Sequence, residues 1–141
     1  MRDLFNNIDP RNLFPPKAAV TDNTPQVSNI IDLANSQGAL FVLITGNESD
    51  ADATFATTIA VGDDPALADG AAPPAGDLIG TATLASFTFA DDNKSRKLGY
   101  CGPKRYAQMT VTPTNNTGNL FLAGTALVFT KAAPPPNPPT A

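Results

Sequence analysis

Between residues 27 and 130, apolar and polar positions alternate with a period of two, broken at short intervals by Gly, Pro, Asn and Asp. That period belongs to β-strands, in which successive side chains leave opposite faces of the backbone. Segment 53–61 puts Phe55, Ile59 and Val61 on one side and Thr54, Ala56, Thr58 and Ala60 on the other, and segment 104–112 separates Ala107, Met109 and Val111 from Gln108, Thr110 and Thr112. Each reads as a half-buried strand with one face on a core and the other in water. The same pattern and its breaks predict strands over 27–33, 39–46, 77–81, 84–90, 95–101 and 119–130. About eight strands and no sustained helical period imply an all-β protein, an antiparallel β-sandwich that is jelly-roll-like in strand number.

Two segments are apolar on both faces. ALFVLIT sets Phe41 and Leu43 against Leu40, Val42 and Ile44, and NLFLAGTALVF sets Leu120, Leu122 and Val128 against Phe121, Leu127 and Phe129. In a two-layer sandwich one of these rows must face outward, where an arm, a loop or another chain is needed to cover it. Covering several hundred Å² of such surface is worth on the order of 5 to 10 kcal/mol at ~25 cal/mol/Å², before the costs of association.

The ends differ in composition from this middle. Residues 1–26 contain Pro10, Pro15, Pro16 and Pro25 and an irregular set of Leu4, Phe5, Ile8, Leu13 and Phe14. They are expected to form an extended N-terminal arm, excluded from the middle of a sheet by proline and lying on some other surface. Residues 27–131 are expected to form the sandwich, and 132–141 (AAPPPNPPTA) a polyproline or solvated tail. The loop 62–77, GDDPALADGAAPPAGD, is expected to project from the sandwich, with a short helical turn near Pro65 to Ala68 capped by Asp63 or Asp64.

Composition narrows the chemistry. Charged residues make up 16% of the 141-residue chain, against about 25% in an average domain, and the net charge is -4. This argues against nucleic acid or a polybasic membrane anchor as partner. The lone cysteine, Cys101, allows no internal disulfide and is expected to be a small buried residue at a strand end. With no apolar run long enough for a signal core or a membrane span, the chain reads as soluble and unexported.

There is no histidine and no tryptophan. The commonest general base and transition-metal ligand are therefore missing, as is the aromatic platform of a sugar cleft. Neither GNESDAD nor GYCGPKR has the spacing of a phosphate-binding loop. Two acidic clusters remain, Asp63 with Asp64 and the group Glu48, Asp50 and Asp52, of which the second offers the D-x-D spacing of a hard-cation loop. That group lacks the glycine and closing glutamate of a calcium loop, so solvated turn carboxylates are the expectation, with no metal, cofactor or small-molecule substrate. The chain is expected not to be an enzyme.

Five of the nine basic residues, Lys94, Arg96, Lys97, Lys104 and Arg105, fall at or just before LGYCGPKRYAQMTVTP, interleaved with Tyr100 and Tyr106. Two readings compete: an interface patch, since Arg and Tyr favour interface centres, or a hairpin turn at Gly102 and Pro103 with lysines keeping a strand edge soluble.

The sequence of features MRDLFNNI, ALFVLITG, TTIAVGDDP and LGYCGPKRYAQMTVTP resembles the small β-sandwich virion proteins of tailed bacteriophages, of the capsid decoration or cement type. The resemblance implies a trimer on the outer surface of an icosahedral capsid, made in the host cytoplasm and bridging neighbouring copies of the major capsid protein. Interface residues expected on that reading are Leu4, Phe5, Leu13, Phe14, Arg96, Lys104, Arg105 and Tyr106. Alternatives are a tail or neck component of a virion and a jelly-roll module binding a host surface or carbohydrate.

Overall fold

A computed structural model describes residues 4–130, which form ten β-strands, one short helix and two 3-10 turns. The strands are β1 (Ile8–Phe14), β2 (Gln26–Val27), β3 (Ile31–Asp32), β4 (Ser36–Thr45), β5 (Thr54–Gly62), β6 (Leu78–Ile79), β7 (Phe87–Thr88), β8 (Ser95–Tyr100), β9 (Tyr106–Thr114) and β10 (Leu122–Thr130). Sheet I has the order β1-β10-β4-β8-β6 and sheet II the order β2-β9-β5-β7, with β3 pairing the same strand, β9, as β2. All pairings are antiparallel. The protein is an all-β sandwich.

The alternating strands behave as their pattern requires. Along β5 the side chains of Phe55, Thr57, Ile59 and Val61 are buried while Thr54, Ala56 and Thr58 are exposed, and β9 buries Ala107, Met109 and Val111. These meet Phe41, Leu43, Leu98, Tyr100 and Val128 of sheet I in one core. Phe55 stacks on Phe87 at a centroid distance of 4.9 Å. Thr57 is the polar member of the inward row, and its hydroxyl donates to the Ala85 carbonyl at 3.1 Å while its N–H donates to Ser86 Oγ at 2.9 Å. A buried polar group with both bonds made costs little.

The arm expected over 1–26 is corrected. Ile8–Phe14 is an edge strand of sheet I, paired with β10 from Ile8 opposite Phe129 to Phe14 opposite Gly124. Pro10 is tolerated because the strand has a free edge. A register shift between Asn12 and Phe14 breaks the alternation, so that Leu13 and Phe14 both turn inward, at 0% and 4% exposure. Neither is an interface residue: each belongs to the chain's own core. The tail expected over 132–141 lies outside the described residues.

Three local expectations also change. Segment 84–90 is not one strand: Thr81 caps a short helix, α1 (Ala82–Ala85), by accepting from Leu84 N at 3.1 Å, and β7 is followed by the 3-10 turn Phe89–Asp91, boxed by Thr88 and Asp91. The loop 62–77 folds back on the sandwich, since Val61 and Ala71 exchange two main-chain hydrogen bonds; Asp64 does close a turn, accepting from Ala66 N at 2.7 Å. Segment 101–105 is not a hairpin, because β8 lies in sheet I and β9 in sheet II. It crosses from one layer to the other, and Cys101 on it is exposed rather than buried.

Candidate docking face

The two glycines of LGYCGPK are where they are for contact reasons. A Cβ on Gly99 would lie 2.9 Å from Ile79 Cβ, and one on Gly102 would lie 2.5 Å from both the Tyr100 hydroxyl and Asp77 Oδ2. Gly99 therefore lets β6 close over β8, and Gly102 lets the crossover wrap the tip of Tyr100, whose oxygen accepts from Lys104 N at 3.0 Å. Tyr100 is 1% exposed, and burial raises its phenol above the usual range.

The basic cluster divides along β8. At one end Arg96 meets Asp91 at 2.5 Å and Lys94 meets the same carboxylate at 3.2 Å. At the other, Lys104 meets Asp63 at 2.6 Å, and Arg105 grips Asp32 through two bonds of 2.9 and 2.8 Å while its guanidinium lies 5.0 Å from the centre of the Tyr106 ring. The hydrogen bond from Arg105 holds Asp32 below the usual carboxylate range, that from Lys104 does the same to Asp63, and both cations are raised in turn. Four of the five cations are thus neutralised within the chain. Among the described residues only Lys97 of the five makes no ion pair. Arg96, Lys104, Arg105 and Tyr106 do not form one patch.

What the fold does assemble is an apolar surface on the outside of sheet I. Register aligns Pro10, Leu127, Leu40, Gly99 and Ile79 across all five strands. Beside this row lie Ile8 and Phe129 on one side and Val42 on the other, with Ile44 beyond at 47% exposure and Ile79 itself at 68%. A groove of about 380 Å³ is lined by Leu40, Ile79, Gly99, Phe129 and Asn7 among others. Leu4 and Phe5, at 57% and 69% exposure, sit in the turn that leads into β1, where Leu4 O accepts from Ile8 N at 3.1 Å. Of the outward positions on β1, β10, β4 and β8 in this register, Lys97 carries the one charge. The apolar excess of ALFVLIT and of the last strand pointed to this face; the part played by Ile79 and Gly99 depends on a pairing that no local pattern reveals.

The Glu48, Asp50 and Asp52 cluster does not converge on a common point. Asp50 turns to Thr117, accepting from its N–H at 2.6 Å and its hydroxyl at 2.8 Å, which lowers its carboxyl well below the usual range, while the hydrogen bond that Asp50 shares with Asp52, and then its charge, raise the carboxyl of Asp52. Glu48 turns the other way and is 3% exposed. Among the described residues no three acidic or cysteine side chains are placed to share a metal ion, and no helix is long and apolar enough to cross a membrane.

No protein-family model matches this chain, and no curated protein matches it in sequence.

Proposed function

We propose that this chain is a structural protein of a bacteriophage virion, a jelly-roll sandwich that docks on the outer surface of the capsid through the outer face of sheet I and bridges neighbouring capsid subunits. The jelly-roll reading rests on strand order. With β2 and β3 counted as one interrupted strand and β6 as an addition at the edge, eight strands remain, and the sheets run 1-8-3-6 and 2-7-4-5. That is the double Greek-key order found in viral capsid and lectin domains.

The observation that carries the role is the apolar row from Pro10 to Ile79, exposed at its two ends and half-buried at Leu127 and Leu40 between them. An apolar row that runs across a whole sheet and carries no charge within it is the kind of surface a protein partner covers. The edges of sheet I do not compete for that partner: β1 carries Pro10 and β6 has two residues, so association proceeds through the face and not by strand addition. The major capsid protein is the proposed partner and a homotrimer the proposed form, both from the resemblance of MRDLFNNI, ALFVLITG and LGYCGPKRYAQMTVTP to decoration proteins.

Copy number tests the reading. Quantitative mass spectrometry of purified virions is expected to find the chain in hundreds of copies on the head; roughly a dozen copies would place it in a ring at the neck or tail, and absence from virions would overturn the proposal.

A further inference from the structure

Glu48 is the chain's only glutamate. It sits where three loops meet: its own, residues 46–53, the β7–β8 loop and the β9–β10 loop. The first is tied to the second by Glu48 N to Asp92 Oδ1 at 2.8 Å and Asn93 N to Gly46 O at 2.9 Å, and the end of β4 adds the Thr45 hydroxyl to Asp91 O at 2.7 Å. The first loop is tied to the third by Gly46 N to Phe121 O at 2.9 Å and by Asn119 N to Ser49 Oγ at 2.7 Å. At the centre of these ties both Glu48 carboxyl oxygens are shut off from solvent and make no hydrogen bond of full geometry, the Phe121 N–H being a weak donor toward them. The titratable group acting on them is Asp92, itself an acid.

A bare carboxylate in that position has lost its hydration and faces a like charge, so the neutral acid is the form that fits. We propose that Glu48 is a proton-operated latch: in the acid form it lets the three loops close on one another, and loss of the proton loosens that end of the sandwich. Consistent with this placement, burial first and the Asp92 charge second push its carboxyl from 4.5 up to about 7, offset in part by the Phe121 main chain. With no histidine in the chain, no imidazole competes for this role near neutral pH.

The test is direct, because protein labelled with carboxyl-13C glutamate gives one side-chain signal. The full chain is titrated from about pH 4 to about pH 9, and the midpoint is expected near neutrality instead of at the ordinary glutamate value. Amide protection factors at Gly46, Glu48, Ser49 and Asn93, corrected for intrinsic exchange, are expected to fall about tenfold or more through the same range and to stay level in Glu48→Gln. Asp92→Asn, which keeps the carboxyl in place, is expected to lower the midpoint. A midpoint near the ordinary value, equal protection at both ends of the range, or a signal that calcium displaces and pH does not would each overturn the latch. The result is independent of whether the chain binds a capsid.

Discussion

Sheet I turns Leu40, Val42, Ile44, Leu127 and Phe129 outward from β4 and β10, whereas β5 and β9 of sheet II turn Thr54, Thr58, Thr110 and Thr112 outward, in strands of nine or ten residues each. Inside, both sheets contribute the same kind of residue to one core. Valine, isoleucine and threonine are all comfortable on a pleated surface, so the fold itself does not ask for apolar residues outside sheet I. Threonine there would build the same strands with less risk of aggregation. That difference is the ground of the proposal that the outer face of sheet I docks on another protein surface while β5 and β9 of sheet II face water.

Four experiments bear on that contrast. The largest effect concerns whether β1 belongs to sheet I at all. Leu13→Ala should lower unfolding free energy by about 2–5 kcal/mol in chemical denaturation, as expected of a buried leucine, whereas a leucine on a free arm would leave it unchanged. Next comes the loop end shared by both sheets. Since the folded state holds the Glu48 proton more tightly than the unfolded chain, stability should fall as pH rises from 4.5 to about 7 and level off above. Glu48→Gln should remove that fall and stabilise the protein by roughly 2–3 kcal/mol near pH 8, with little change near pH 4.

The docking contrast itself comes third. Leu40→Asp or Leu127→Asp should weaken binding to undecorated heads at least ~10-fold, about 1.4 kcal/mol or more, in a sedimentation assay, while the folded fraction by circular dichroism stays the same. The matching change on the other sheet, Thr110→Asp, should leave binding intact and alter stability by no more than ~0.5 kcal/mol. Equal losses from the two faces would mean that the contrast between them has no bearing on attachment.

The parts of the fold that were legible in advance are those where side-chain alternation survives intact. β5 and β9 were readable residue by residue, and the doubled apolar character of β4 and β10 already marked an outer row in need of cover. β1 escaped because its bulge turns two consecutive residues, Leu13 and Phe14, into the core, and because its inward Asp9, 3% exposed and paired with Arg11 at 2.9 Å, reads as a surface residue. In 84–90 the apolar alternation hides the break after Thr88, where Thr88 and Asp91 box a 3-10 turn. The basic cluster misled for a geometric reason. Residues close in sequence along an extended strand are carried apart by about 3.3 Å each, so Arg96 and Arg105 find acids at opposite ends of β8.

The pairing of β1 with β10 sets a timetable for the newborn chain. The first strand can complete its place only beside the last one, which leaves the ribosome about a hundred residues later, a wait of roughly 5–20 s at ordinary synthesis rates. Until then Leu13 and Phe14 have no core to enter, and sheet I lacks the strand that joins β1 to β4. The sandwich thus closes only once β10 has emerged, and until then those two side chains are the ones that most need shielding from their neighbours.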